Sequence, residues 1–161
     1  ATLGTIFIRP NVNNVTVSGF TIIGYDTANP GLEEAAVYLQ GDHDNIQILN
    51  NTLTANGEAA FLEEFGGSNT NLVITGNTID GQTFVGTPGG CGFGSQFTTP
   101  NVPRQLVVIQ GGTDSNITFS DNSVTGITGA ATPGNVPPCD AVGQGNTAVT
   151  IDADNVLISG N

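Results

Sequence analysis

One short phrase recurs along the chain, and its second copy reads Asn45-Ile46-Gln47-Ile48-Leu49-Asn50-Asn51-Thr52-Leu53. An Asn opens the phrase, apolar residues alternate after it, a second Asn follows six positions later, and an aliphatic residue closes it. The five opening residues are Asn14, Asn45, Asn71, Asn116 and Asn155. The second Asn falls at Asn51, Asn77, Asn122 and Asn161, and Phe20 takes its place in the first copy. A phrase of constant length with unequal gaps is typical of a solenoid with insertions on one side.

The apolar residues inside the phrase alternate with polar ones, which predicts a half-buried β-strand rather than a helix. A second strand is predicted before each phrase, over residues 6–9, 37–40, 60–63, 107–110 and 149–152. Each unit therefore holds two or three short strands, and stacked units pair every strand in parallel with its copies above and below. Because an Asn at a bend can hydrogen-bond the backbone and the Asn one rung away, we expect Asn ladders at both phrase positions.

The repeat pattern resembles the right-handed parallel β-helix repeat proteins, the pectate-lyase-like superfamily, over nearly the whole chain. The resemblance implies an all-β fold, a single-stranded right-handed parallel β-helix of about five rungs. We expect one domain over residues 1–161, with loop insertions on one side at 23–35, 80–105 and 125–147. No polar capping unit is visible at either end, which predicts a segment of a longer protein or a chain that associates with itself end to end.

The charge balance of the chain is acidic, with 14 Asp and Glu against two Arg, and a formal net charge of −12. Such a surface repels phosphate backbones and anionic lipid surfaces, so nucleic acid is not an expected partner. No apolar run approaches the ~20 residues that cross a bilayer, so membrane insertion is not expected either.

The two cysteines, Cys91 and Cys139, lie in the two long insertions, which interrupt successive rungs at equivalent places. Their loop tips can therefore meet, and a disulfide would hold two loops that have little core of their own. The alternative is two free buried thiols. A disulfide favours an extracellular, cell-surface or periplasmic location.

A candidate binding face follows from the alternation in the strand that precedes each phrase. Its outward residues are predicted to form one column of Phe7, Tyr38, Phe61, Val108 and Thr150, and another of Arg9, Gln40, Glu63, Gln110 and Asp152. Aromatic faces beside polar groups suit sugar rings, and rungs ~4.8 Å apart can follow an extended polysaccharide. The proposed ligand-binding residues are Phe7, Tyr38, Phe61, Arg9, Gln40 and Glu63. The alternative is that inserted loops cover these aromatics.

Acidic residues concentrate near this face, and the only histidine of the chain lies among them. The catalytic candidates are Glu63, Glu64, Asp42, Asp44 and His43, because paired carboxylates can act as acid and base on a glycosidic bond. Carboxylate oxygens also bind Ca²⁺, for which the candidates are Asp42, Asp44 and Glu64. No other cofactor is indicated. The alternative is that these acids only face water.

Comparison with the resembled superfamily weighs against catalysis. Its lyases and epimerases neutralise substrate carboxylates with basic residues, and here only Arg9 lies on the candidate face. The Asp-Pro-His motif of alginate epimerases is absent, as are the Asn-Thr-Asp and Gly-His-Gly motifs of polygalacturonases. We therefore expect a non-catalytic segment that acts in structure, adhesion or glycan recognition. The alternative is a polysaccharide hydrolase, lyase or epimerase that uses the clustered carboxylates, with or without calcium.

Three Asn-X-Thr glycosylation sequons begin at Asn14, Asn50 and Asn116. Asn14 and Asn116 open copies of the phrase, where a glycan would interrupt the stack. Asn50 stands outside the two ladder positions and can point outward.

Overall fold

A computed structural model describes residues 1–24, 35–54, 59–63, 67–80, 105–110, 113–125 and 147–161. Within these ranges the chain forms fifteen β-strands and no helix. The strands are β1 (Thr2–Leu3), β2 (Ile6–Ile8), β3 (Val15–Ser18), β4 (Thr21–Ile23), β5 (Ala35–Leu39), β6 (His43–Leu49), β7 (Thr52–Thr54), β8 (Ala59–Glu63), β9 (Asn69–Thr75), β10 (Thr78–Asp80), β11 (Gln105–Ile109), β12 (Ser115–Ser120), β13 (Ser123–Thr125), β14 (Thr147–Ile151) and β15 (Asp154–Ser159).

The strands stack into three sheets of five strands, all paired in parallel. Sheet A has the order β1-β4-β7-β10-β13, sheet B the order β2-β5-β8-β11-β14, and sheet C the order β3-β6-β9-β12-β15. The chain visits sheets B, C and A in turn, so each rung gives one strand to each sheet. The described residues therefore form a parallel β-solenoid of about five rungs, as the repeat predicts.

The phrase copies are in register, which confirms the alignment read from the sequence. Val15 pairs with Ile46, and Ile46 pairs with Leu72. In the last two rungs Ile117 pairs with Val156. Insertions between rungs therefore leave the stacking of the phrase unchanged.

The inward-facing residues of the three sheets form one continuous hydrophobic core. Burying each such side chain stabilises the fold by about 1.5–3 kcal/mol before entropy is counted. The most buried residues of this core include Ile22, Leu39, Ile46, Ile48, Leu53, Leu72, Ile74, Ile79, Leu106 and Ile109.

The second phrase position forms a buried Asn ladder. Oδ1 of Asn77 accepts the backbone N–H of Asn51 at 2.9 Å and its Nδ2 at 3.1 Å. Asn77 in turn donates its backbone N–H and its Nδ2 to Oδ1 of Asn122, both at 3.0 Å. Asn122 donates both groups to Oδ1 of Asn161 at 2.9 and 3.1 Å. The ladder satisfies polar groups that the core would otherwise leave unpaired.

The opening position forms a second ladder on the surface. All five opening Asn residues adopt the left-handed conformation, with φ between 57° and 59°. Nδ2 of Asn45 donates to Oδ1 of Asn14 at 2.9 Å, and Nδ2 of Asn116 donates to Oδ1 of Asn71 at 3.3 Å. Asn155 donates to Asn116 in the same way. Asn tolerates this backbone better than most residues, which explains why it opens every copy.

The bend between sheets C and A follows a third pattern that the sequence analysis did not predict. The first residue of this bend alternates from one rung to the next between glycine and a polar residue. The five residues, all with positive φ, are Gly19, Asn50, Gly76, Asp121 and Gly160. Oδ1 of Asn50 lies where a Cβ on Gly76 would stand, and Oδ1 of Asp121 lies where a Cβ on Gly160 would stand. Each polar side chain therefore rests on the glycine of the next rung.

The predicted insertions overlap strands at their edges, since Ile23, Ala35, Asp80, Gln105 and Thr125 all belong to strands. Between those edges lie residues 25–34, 81–104 and 126–146, which fall outside the described ranges. In the described part of the chain no helix has the length and apolar character needed to cross a bilayer.

Candidate functional site

The first two aromatic residues of the predicted face do meet on the outer side of sheet B. Phe7 and Tyr38 pair in register, and their rings stack with centroids 5.1 Å apart and an interplanar angle of 13°. Phe7 is 45% exposed, whereas Tyr38 is only 8% exposed. The stack therefore presents Phe7, and not Tyr38, to solvent.

The register predicted for the third rung is wrong. Phe61 pairs with Val37, and Leu62 takes the register position opposite Tyr38. Glu63 pairs with Leu39 rather than following the column of Gln40. The aromatic column therefore reads Phe7, Tyr38, Leu62, Val108 and Thr150. By register, Phe61 and Glu63 share the columns of Val37 and Leu39, two residues of the hydrophobic core.

The outer side of sheet B is covered at its centre. Ala35, Tyr38 and Val108 form a small buried cluster separate from the main core. Of the two polar candidates beside it, Arg9 is exposed and Gln40 is half-buried. The face open to a ligand is therefore shorter than the sequence predicts, and among the described residues it centres on Phe7 and Arg9.

The acidic bend Asp42-His43-Asp44 lies at the corner between sheets B and C. Oδ1 of Asp42 accepts the backbone N–H of Ser68 from the next rung at 2.9 Å. Oδ1 of Asp44 accepts the hydroxyl of Thr70 at 2.7 Å and Nδ2 of Asn71 at 2.8 Å. Both carboxylates therefore tie the second rung to the third.

Hydrogen bonds change the acidity of one of these carboxyl groups. The bond from the Thr70 hydroxyl, followed by the bond from the Asn71 side chain, holds the pKa of Asp44 below its usual value. These donors stabilise the charged form more than the neutral one. The lowered pKa keeps the Asp44 carboxyl group ionised, whereas a general acid needs the opposite shift.

His43 is buried between rungs, with only 3% of its surface exposed. Its Nδ1 lies 2.9 Å from the carbonyl oxygen of Val12 and donates to it. Its Nε2 is buried without a hydrogen-bond partner among the described residues. The imidazole thus packs inside the corner and does not face a polymer on the surface.

His43 belongs to a column of buried polar side chains that was not predicted from the sequence. Asn69 pairs with His43, and Asp114 follows in the same column one rung later. Both are nearly fully buried, and the carboxylate of Asp114 accepts the backbone N–H of Asn69 at 2.8 Å. The signal was present in the sequence, because each residue stands two positions before an opening Asn.

Across the residues that the structure describes, no cluster of three or more His, Cys, Asp or Glu side chains is placed to hold a metal ion. The calcium and catalytic candidate Glu64 lies outside those residues, and so do Cys91 and Cys139. Glu63 is described only in its backbone pairing. The calcium site, the carboxylate pair and the disulfide therefore stay predictions.

A cavity of about 420 Å³ opens at the far end of the core from β1. It is mostly apolar, and its lining is formed by Phe119, Val124, Val149, Ile151, Ile158 and Asn161. The lining residues continue the inward-facing columns of the sheets. The cavity therefore belongs to the end of the hydrophobic core and is not a pocket with converging polar groups.

The chain matches no protein-family model, no curated protein and no solved structure. The fold is therefore established by the strand pairing of the described residues alone. Only these residues bear on the function of the chain.

The ionised carboxylate of Asp44 is expected to contribute stability that depends on pH. Its folded pKa is lowered from the ordinary value of 3.8, so the contribution is present above 3.8 and is lost as the pH falls through the folded value. The variant Asp44→Asn should therefore be less stable than the parent at pH 7, and the difference should shrink below pH 3.8. Urea unfolding of both proteins across this range measures it. A difference that grows on acidification would contradict the assignment.

Proposed function

We propose that this chain is a non-catalytic segment of a secreted or cell-surface parallel β-helix protein, acting in structure, adhesion or glycan recognition. The strongest support for the proposal is the structural role of the acidic side chains at the corner between sheets B and C. The described carboxylates Asp42 and Asp44 accept hydrogen bonds from Ser68, Thr70 and Asn71 of the adjoining rung, and His43 is buried. These groups hold the coil together instead of converging on a space where a substrate would lie.

A stacked coil suits a spacer or a display surface. Each rung advances by about 4.8 Å, so five rungs separate the two ends by about 20 Å. One buried Asn ladder and one continuous core run along this length. The surface ladder accompanies them with one break, where Nδ2 of Asn71 donates to Asp44 instead of Asn45. Bending the coil would break contacts in several rungs at once, because every interior strand of the three sheets pairs with a neighbour on both sides.

Glycan recognition is supported by one observation, the exposed ring of Phe7 beside the exposed side chain of Arg9. An aromatic face carries sugar C–H groups, and a guanidinium donates hydrogen bonds to hydroxyl groups. Because the protein has a net charge of −12, a neutral polysaccharide is a better partner than a polyanionic one.

Absence of turnover is the first test. The protein is incubated with neutral and anionic polysaccharides, with added Ca²⁺ or with a chelator, and new reducing ends and unsaturated products are measured. No product is expected in any combination. Product formation that disappears in the variants Glu63→Gln or Asp42→Asn would overturn the proposal in favour of a carbohydrate-active enzyme.

Replacing Phe7 by Ala is expected to weaken binding of a neutral extended polysaccharide by about threefold to tenfold, the loss of one aromatic contact worth about 0.5–1.5 kcal/mol. Affinity electrophoresis in gels that contain the polysaccharide measures the change. Ile23→Ala is a matched control, because Ile23 is a similarly exposed apolar residue on sheet A, 40% against 45% for Phe7. Equal retardation of all three proteins would remove Phe7 from the binding face.

A further inference from the structure

The three sequons of the chain differ in how their Asn side chains are used. Oδ1 of Asn14 accepts from Asn45, while Asn116 donates through Nδ2 to Asn71 and accepts from Asn155. Asn50 belongs to neither ladder. We propose that Asn50 is an attachment site for an N-linked oligosaccharide, and that Asn116 is not one in the folded protein.

The position of Asn50 leaves room for a bulky substituent. Asn50 is exposed, and it stands with a left-handed φ of 53° at the bend between β6 and β7. The residues at the same position in the rungs on either side are Gly19 and Gly76, and Oδ1 of Asn50 rests on Gly76, with Nδ2 farther from that glycine than Oδ1 is. No atom of the described residues lies within 4 Å of the place where a Cβ on Gly19 would stand.

Asn116 is also exposed, but its amide nitrogen is engaged in the surface ladder. Glycosylation converts its primary amide to a secondary amide, which puts a sugar ring on Nδ2, the atom that reaches Oδ1 of Asn71 in the neighbouring rung. Rungs stand only about 4.8 Å apart, so a sugar ring between two ladder residues would separate them. A chain that carried this glycan would lose the surface ladder at the centre of sheet C.

The reaction requires a lipid-linked oligosaccharide diphosphate as the donor. Nδ2 of Asn50 forms a bond to the anomeric carbon of the first sugar, and the bond from that carbon to the phosphate oxygen breaks. The lipid diphosphate leaves, and Nδ2 loses one proton. No oxidation or reduction occurs. Thr52 completes the sequon, two residues after Asn50.

A glycan at this place would leave the candidate binding face open. Asn50 lies at the corner between sheets C and A, whereas Phe7, Tyr38 and Arg9 belong to sheet B or follow it directly. Of the three corners of the coil, the one that carries Asn50 does not border sheet B. An oligosaccharide there would shield the bend without covering Phe7.

In the native setting this inference rests on the proposed export, and the experiment supplies export separately. The chain is produced behind a heterologous leader in eukaryotic cells, and glycopeptides of the folded, secreted protein are mapped by mass spectrometry. We expect a glycan on Asn50 and none on Asn116. Secreted folded protein with an unmodified Asn50, or with a glycan on Asn116, overturns the proposal whether or not the native chain is exported.

Two matched pairs of variants sharpen the assignment. Thr52→Val should remove one glycan mass, and Thr52→Ser, which keeps the sequon, should retain it. Thr118→Val should leave the mass of the sugar unchanged, because it removes only the sequon of Asn116. Thr52 and Thr118 are both half-buried strand residues, so the two valine variants perturb the fold to a similar degree. A glycan lost in Thr118→Val and kept in Thr52→Val would refute the assignment.

Discussion

Replacing Asn77 by Leu is expected to lower the free energy of unfolding by about 3 kcal/mol or more. The change removes the acceptor of the buried backbone N–H of Asn51 and the side-chain donor to the carbonyl of Ile48. Nδ2 of Asn51 keeps its bond to the carbonyl of Val17, and Oδ1 of Asn122 keeps the backbone N–H of residue 77. The two groups that lose a partner lie in the buried ladder, and each stranded group costs about 1–3 kcal/mol. Urea unfolding followed by circular dichroism measures the loss, which is a large part of the 5–15 kcal/mol typical of a folded domain.

The surface ladder supplies a control for this prediction. Asn71→Gly removes an opening Asn but keeps the left-handed backbone, which glycine adopts at no steric cost. The bonds lost, to Asp44 and from Asn116, are exposed to solvent. We expect a loss below about 1 kcal/mol, since water replaces exposed partners. Equal losses in the two variants would show that burial does not separate the two ladders.

The second large effect is expected from Gly67→Ala. A Cβ on Gly67 would lie 2.5 Å from the carbonyl oxygen of Gly41 and 3.0 Å from its carbonyl carbon. These are backbone atoms of the rung before, so relief requires that the two rungs move apart. Overpacking of this kind costs about 1–3 kcal/mol, and we expect a loss near the upper end because the backbone cannot rotate away. The midpoint of thermal unfolding should fall accordingly.

Gly4→Ala is the matched control. Gly4 has no positive φ, and no described atom lies within 4 Å of where its Cβ would stand. Alanine there should leave stability unchanged or raise it slightly by restricting the unfolded chain. A loss in Gly4→Ala equal to that in Gly67→Ala would mean that the close approach of Gly67 to Gly41 does not set the spacing of the bends.

The repeat phrase predicted the coil, the strand order and both ladders, because all three depend on spacing alone. Residues at odd and even positions of a strand face opposite sides of the sheet, and this parity also distinguishes the two ladders. Asn14 shares its parity with the outward Thr16 and is exposed, whereas Asn51 shares its parity with the inward Leu53 and is buried. The positions of the two Asn residues within the phrase, which the sequence shows, therefore separate a surface ladder from a core ladder.

The register of β8 was predicted wrongly because its sequence gives no clear alternation. Ala59, Ala60, Phe61 and Leu62 are consecutive apolar residues, so either face fits the core by composition. The pairing with β5 decides between the two phases and sets Phe61 opposite Val37. The neighbouring β5 is likewise buried on both of its faces. The sequence of such an apolar run therefore does not show which of its residues face the main core.

The candidate site was predicted in part, since residue type does not report exposure. Tyr38 was expected on an open face, but it is buried with Ala35 and Val108. Asp44 was proposed as a catalytic residue or a calcium ligand, which stays a prediction, and its Oδ1 accepts hydrogen bonds from Thr70 and Asn71 of the adjoining rung. Contacts between rungs connect residues 26 positions apart, and the variable gaps hide such pairs until the rungs are stacked.

The two ladders differ in the direction of their amide dipoles. In the buried ladder, Oδ1 of Asn77 points back toward Asn51 in the earlier rung. In the surface ladder, Oδ1 of Asn14 points forward toward Asn45 in the later rung. Aligned amides along a single column would accumulate a field as they do in an α-helix. Two antiparallel columns offset each other instead, so a coil of this design can gain rungs without concentrating opposite partial charges at its two ends.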